Sequence, residues 1–318
     1  MYQLSSAIAD FLNHCLFEKN LSHKTLKAYK IDLLQFESFL IIKNKYLEPN
    51  NISKHEIREF LTTLSSLKPK SIKRKVASIK ALFNFLEFED QIVINPLRRM
   101  KIHIKEPKKL PLILDLREIL KIFKIVYKDL CNDGCKKKYS NFESIRNVVI
   151  IELLFSTGAR VSEIADLKRE NINLDSGSII IKGKGNKERI IHVCNSETIN
   201  ILRKYNSFYQ SKMSKATGYF LINRFGKKIS DQSIRNFVKK ISRKAGIIKN
   251  ITPHIFRHSF ATLLLEKDVD IKYIQSLLGH SSIMTTQIYT HVNRVRQKQI
   301  LRTKHPRKDF SMLPMTDN

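Results

Sequence analysis

Nowhere does the sequence string together the ~20 apolar residues that cross a bilayer as a helix, and so an ordinary transmembrane span is excluded. The N-terminus, Met1-Tyr2-Gln3-Leu4, lacks a basic stretch followed by a long apolar core, so no signal peptide is expected. Cysteine is scarce. The four residues at 15, 131, 135 and 194 are too few and too scattered for a disulfide framework. Cys131 and Cys135 are spaced like half a metal site, but no second Cys/His pair lies near them in sequence. They read as reduced structural or surface thiols. There is no clustered carboxylate pair for Mg²⁺ and no Walker-type glycine loop, so no metal, ATP or other cofactor is expected.

Acidic residues are also in short supply, 29 against 58 Lys and Arg, which leaves a formal charge of +29. A surplus of that size opposes compaction unless a polyanion neutralises it. Nucleic acid is the natural partner, bound with an affinity that falls steeply with salt. The apolar fraction of 42% is ample for real cores, and 318 residues are enough for two domains. A soluble, cytoplasmic, nucleoid-associated protein is expected.

The first hundred residues read as four amphipathic helices. Leu4, Ala7, Ile8, Phe11, Leu12 and Cys15 recur at helical spacing, as do Leu26, Tyr29, Leu33, Phe36 and Leu40. A third run, Ile57, Phe60, Leu61 and Leu64, is opened by Ser53 as an N-cap. The fourth carries Ile72, Val76, Ile79, Leu82, Phe83 and Leu86, with Lys70, Lys73, Arg74, Lys75 and Lys80 clustered along it as a DNA-facing side. Asn95-Pro96 ends this bundle, residues 1–100, and the basic, proline-containing segment 101–112 reads as an extended linker. A second domain, 113–318, opens with a helix near Asp115. Residues 128–145 read as a polar, lysine-rich surface insert, followed by an apolar helix, Val148 to Phe155, closed by Thr157-Gly158. Ser178 to Lys182 and Arg189 to Val193 are short β-branched strands joined by a glycine-containing turn. The remainder is helical. The fold class is therefore mainly α with a small antiparallel β-sheet: a helical N-terminal bundle plus a mixed α/β domain.

Several residues suit chemistry on a phosphodiester. In Thr252-Pro253-His254-Ile255-Phe256-Arg257, Thr252 is placed to cap a helix, and His254 and Arg257 fall one turn apart on it. Fixed donors aimed at the non-bridging oxygens of a reacting phosphate are the largest single catalytic contribution available. Arg160 follows the glycine that closes an apolar helix, where it either joins such a clamp or simply pairs with Glu163. Lys184 sits at the hairpin tip, either as a solvated loop cation or as a group reaching a leaving oxygen. His280 stands just outside a glycine-terminated helix, and Tyr289 follows nine residues later. A phenol is a poor nucleophile until its proton leaves. The chain has ten tyrosines, and only its relation to His280 and Arg257 distinguishes Tyr289.

The set TGARVSE (157–163), GKGNKER (183–189), PHIFRHSFAT (253–262), LLGHSSIMTTQIYTHV (277–292) and HPR (305–307) resembles the tyrosine recombinases of the phage integrase family, especially their Xer-type branch. The match covers the whole catalytic half in order. The resemblance implies that 1–100 is a DNA-clamping core-binding domain and 113–318 the catalytic domain. It implies that Arg160, His254 and Arg257 bind the scissile phosphate, with His280 completing the donor set. Lys184 would protonate the leaving 5′ oxygen, and Tyr289 would form a transient 3′-phosphotyrosine link. His258, His291 and Glu163 fit the flanking pattern as supporting residues.

The implied partner is double-stranded DNA carrying a specific recombination site, bound by a homo- or hetero-tetramer whose C-terminal helices, near 293–304, dock on neighbouring protomers. Two tasks fit: Xer-type chromosome or plasmid dimer resolution, with its link to chromosome partition and cell division, and mobile-element integration or excision. Two rivals are a topoisomerase of the tyrosine class and a purely architectural DNA-binding protein. The GKGNKER hairpin and the intact set of six residues favour the recombinase.

Overall fold

The computed structural model describes residues 3–43, 48–105, 112–133, 138–183, 188–212, 218–279 and 294–312, with the side chains of 133–140, 209–212 and 294–297 excepted. The chain divides into two compact units, Met1–Lys109 and Leu110–Asn318. Among the described residues, no helix is long and apolar enough to cross a membrane.

The first unit holds α1 (Leu4–Phe17), α2 (His23–Ile42), α3 (Lys54–Thr63) and α4 (Pro69–Phe88). Side chains cap the starts of α2 and α3, and Pro69 takes the first position of α4. The Ser22 hydroxyl accepts the Thr25 N–H, and Ser53 with Glu56 forms a capping box that closes both ends of the first turn of α3. The apolar stripes meet in one core that includes Leu4, Phe11, Leu33, Phe36, Phe60, Leu82, Phe83 and Leu86. The bundle outlasts its last long helix. Asp90 turns the chain with a φ of +53°, and Ile92 and Leu97 then return to the core.

One basic residue of α4 does not face outward. Lys75 is buried, and its ammonium lies 3.1 Å from the fully buried carboxylate of Asp32 on α2. Arg74 pairs with the same carboxylate, and the Ser78 hydroxyl donates to it at 2.9 Å. An isolated buried carboxylate is prohibitively costly, so these donors are what allow Asp32 inside. The expected DNA-facing row thus loses Lys75, while Lys70, Lys73 and Lys80 remain exposed.

The second unit contains α5 (Leu116–Asp133), α6 (Lys138–Thr157), α7 (Val161–Ala165), β1 (Ile172–Asn173), β2 (Ser178–Lys182), β3 (Glu188–His192), α8 (Ser196–Lys212), α9 (Asp231–Lys244), α10 (Pro253–Leu265), α11 (Ile271–Leu278) and α12 (Arg294–Lys304). The strands form one antiparallel sheet in the order β1-β2-β3, with Ile179 opposite Ile191 and Ile181 opposite Arg189. Their alternate residues Ile179, Ile181 and Ile191 enter the core, as a half-buried sheet requires. The described residues of 128–145 do not form a surface insert. α5 runs on to Asp133, α6 begins at Lys138, and Phe142 and Ile145 are buried. The lysines at 136–138 mask this in sequence because they interrupt the apolar period.

The C-terminal segment closes the core of this unit. α12 packs on β3, with Leu301 buried. His305, Pro306 and Arg307 follow it inside. The Arg307 guanidinium, fully buried, donates to Glu152 of α6 at 2.8 Å and 3.1 Å, to Glu197 at 2.8 Å and to the Phe310 carbonyl at 2.8 Å. Glu152 also accepts the Tyr127 hydroxyl at 2.6 Å and the Thr198 hydroxyl at 2.8 Å.

His305 is neutral for a geometric reason. Its Nδ1 accepts the Arg307 N–H at 2.9 Å, so Nε2 carries the proton, donated to the Ser156 carbonyl at 3.1 Å. Protonating Nδ1 would break the first bond and place a charge beside Arg307. Burial above all, then the Arg307 charge, lowers its pKa to about 4, although the Ser156 carbonyl opposes the shift. The unfolded chain binds this proton below pH 6.5 and the folded chain only near 4. Stability is therefore whole above pH 6.5 and falls between 6.5 and 4, by roughly 3 kcal/mol. Urea midpoints of wild type and His305→Gln at pH 7.5, 6 and 5 check this. A wild-type midpoint that does not move across that window would refute it.

Candidate active site

The site is assembled around the C-terminal end of α11. That helix stops at Gly279, whose φ of +63° is left-handed and ends the run of helical hydrogen bonds. Its last carbonyls need other donors, and three arginines from three different elements supply them. Arg189 of β3 donates from Nε to the Leu277 carbonyl at 2.8 Å. Arg257 of α10 donates to the Leu278 carbonyl at 2.7 Å, and Arg160, at the start of α7, reaches the Gly279 carbonyl at 3.4 Å. Cations there also meet the negative end of the helix dipole.

Arg257 is only 2% exposed and makes a second bond, to the Gly158 carbonyl at 3.0 Å. Gly158 is required for that approach. Its φ is +57°, and a Cβ there would lie 2.5 Å from Cδ1 of Phe260 and 2.8 Å from Cδ2 of Leu278. The bare backbone lets α6, α10 and α11 meet. Burial first, then the charge of Arg160, lowers the Arg257 pKa to about 10, against the opposing charge of Glu163. It is still cationic at neutral pH.

Glu163 binds two of the arginines together. One carboxylate oxygen accepts Nη1 of Arg160 at 2.8 Å and Nη1 of Arg189 at 3.2 Å. The other accepts Nη2 of Arg189 at 2.7 Å and the Arg160 backbone N–H at 2.8 Å. Burial pushes this carboxyl up, but the bonds and charge of Arg189, then those of Arg160, outweigh burial and hold it below the ordinary range. Arg160 therefore combines both readings of its sequence position: it pairs with Glu163, and its side chain remains 40% exposed. One carboxylate among three guanidiniums leaves an excess of positive charge at the mouth of the site, the electrostatics of an anion receptor.

His254 is the second residue of α10 and is exposed, its ring edge-on to His258 at 4.4 Å between centroids. Pro253 takes the first helical position as expected, but Thr252 caps through its backbone only: its carbonyl accepts the Ile255 N–H at 2.9 Å, and its side chain makes no capping bond. The structure thus brings Arg160 and Arg257 together at the end of α11 and puts His254 one turn before Arg257. Lys184, His280 and Tyr289 lie outside the described residues, as does His291. Among the described residues, no group of three or more His, Cys, Asp or Glu side chains is placed to hold a metal ion. Arg189 was missed as a site residue by the sequence reading, although the GKGNKER motif contains it. Only the fold reveals what its side chain holds.

Residues 124–296 match the model of the phage integrase family, and residues 8–90 match that of the phage integrase N-terminal SAM-like domain. A tyrosine recombinase of Agathobacter rectalis is 45% identical over 98% of this chain and 99% of its own length. Tyrosine recombinase XerD of Listeria monocytogenes is 33% identical over 96% of this chain and all of its own. Among solved structures, the XerH site-specific recombinase bound to its difH substrate in a pre-cleavage complex is 26% identical. It superposes with a TM-score of 0.65 over 92% of this chain and 83% of that one. A lambda integrase dimer on a core site shares the fold, with a TM-score of 0.64 at 19% identity over 88% of this chain and 96% of that one.

Proposed function

This chain belongs to the phage integrase family, the tyrosine recombinases, and on that premise we propose that it cuts and rejoins duplex DNA at a specific site with Tyr289 as nucleophile. The observation that carries this reading is the convergence of Arg160 and Arg257 on consecutive carbonyls immediately before His280. The phosphate would enter where these guanidiniums, His254 and His280 present their donors. Donors held in advance cost no reorganisation when charge develops on the phosphoryl oxygens. The Tyr289 phenolate attacks phosphorus, a phosphotyrosine bond forms and the bond to the 5′ oxygen breaks. Lys184 gives that oxygen its proton. The energy of the phosphodiester is kept in the new bond, so a 5′ hydroxyl from a partner strand reseals the backbone without ATP. Exchange rather than mere cutting requires two paired sites and four protomers, of this chain alone or with a paralogue. On DNA, α12 leaves its own chain for a neighbour. The protein works in the cytoplasm on the nucleoid, in dimer resolution or in the integration and excision of a mobile element.

A nicked DNA substrate that traps the covalent intermediate tests the proposal. Wild type should form a protein–DNA adduct, and recombination should need two sites. Relaxation of supercoils without exchange would instead favour a topoisomerase, and no adduct would leave only an architectural role. In the same assay, Lys184→Ala should slow cleavage strongly while DNA affinity stays near wild type, because its part is proton donation. If affinity and cleavage fall together, Lys184 positions DNA instead.

A further inference from the structure

We infer that Arg189 is a positioning residue for the phosphate clamp, aligning Arg160 and the end of α11 without touching DNA itself. The inference rests on the recombinase reading above. Arg189 is the first inward-facing residue after the hairpin tip, opposite Ile181 in the β2–β3 register. Its side chain is 12% exposed, and all three of its guanidinium nitrogens are committed to protein acceptors, Nε to Leu277 and Nη1 and Nη2 to Glu163. It makes one bond to α11, at the Leu277 carbonyl, and two to Glu163. Glu163 in turn holds Arg160 by both side chain and backbone. One guanidinium therefore ties three elements together: the strand that follows the Lys184 hairpin, the turn that carries Arg160 and the helix end that precedes His280.

The fit is close on the helix side. A Cβ on Gly279 would lie 3.1 Å from Nη1 and 3.3 Å from Cδ of Arg189, so the guanidinium lies directly against the bare turn. Without it, Leu277 loses an acceptor's partner and Glu163 keeps only Arg160. The freed carboxylate then competes with the DNA phosphate for the Arg160 guanidinium. The loss falls on the clamp, and through the clamp on the charge that develops on the phosphoryl oxygens.

The test compares two DNA substrates in single-turnover cleavage. One carries the natural scissile phosphodiester and the other a neutral methylphosphonate at that position, where the clamp has less charge to stabilise. Arg189→Met should slow cleavage of the phosphodiester by roughly 10²-fold, yet slow the methylphosphonate by less than about fivefold, each relative to wild type. DNA affinity should stay within about threefold. Arg189→Lys, which reaches Glu163 but cannot make all three bonds, should fall between. Glu163→Gln should show the same substrate dependence, and the double variant should be no slower than the slower single, since both act through Arg160. Melting temperatures accompany each variant. Arg189→Lys carries the comparison if Arg189→Met does not fold. Equal slowing on both substrates, or slowing that follows the folded fraction or the loss of DNA affinity, would overturn the inference. No adduct from wild type would overturn the recombinase reading as well, so the two failures are distinguishable.

Discussion

Replacing Tyr289 with Phe is expected to abolish the covalent DNA adduct while leaving DNA affinity within about threefold of wild type. The substitution removes one oxygen, the atom that would attack phosphorus. The cations proposed to bind phosphate belong to other residues. The rest of the molecule supplies a further argument, because the hydroxyls of two other tyrosines, Tyr127 and Tyr205, have other duties. The Tyr127 hydroxyl is committed to Glu152 at 2.6 Å, and burial together with that carboxylate pushes its pKa far up, so its proton does not leave. Tyr205 is fully buried, with its oxygen accepting the Ile222 N–H at 3.3 Å. Burial likewise raises Tyr29. Trapping on a nicked substrate followed by denaturing electrophoresis reads the result. An undiminished adduct in Tyr289→Phe would assign the chemistry to another tyrosine.

Arg307→Met should destabilise the chain by about 3–5 kcal/mol, the largest stability effect expected of any single substitution considered. The reason is the partner left behind more than the bond lost. Glu152 and the Arg307 side chain are both wholly buried, and the two face each other at 2.8 Å. Without the guanidinium, the Glu152 carboxylate retains only two hydroxyl donors in a dry core. Arg307 also lies over the Phe310 ring at 4.6 Å and the Phe123 ring at 5.1 Å, so packing is lost together with charge. The double change Glu152→Met with Arg307→Met removes both charges and should recover much of the loss. Urea unfolding of the full chain measures all three. A single variant that loses less than about 1 kcal/mol would show that water reaches the pair and screens it.

Much of the architecture was legible in the residues. The helical spacing of Leu33, Phe36 and Leu40 and the cap at Ser53 led directly to α2 and α3. The glycine after Thr157 and the glycine after Leu278 marked two turns on which the site depends. Local chemistry decides these features, and local chemistry is what a sequence displays. The errors have physical causes too. Lys75 looked like one more basic residue on a DNA-facing helix, because nothing near it in the chain announces Asp32, 43 positions earlier. Residues 128–145 looked like a polar insert because the polar run at 131–138 interrupted the apolar period before Phe142 and Ile145 resumed it.

Arg160, Lys184, His254, Arg257, His280 and Tyr289 were singled out by type, order and motif, and the family to which the chain belongs was likewise readable from the sequence alone. What the sequence could not display was the support behind them. Glu163 read as a flanking acid and Arg189 as one basic residue of a hairpin. Their importance lies in a carboxylate shared across 26 positions and in the carbonyls of Leu277, Leu278 and Gly279. Backbone carbonyls have no residue identity, and their availability depends on where a helix ends and what is folded against it. The sequence by itself therefore determined the family and the residue types available for the chemistry proposed for Tyr289. Only the tertiary structure decided which groups hold Arg160 and Arg257 together at the end of α11, because those contacts join residues far apart in the chain.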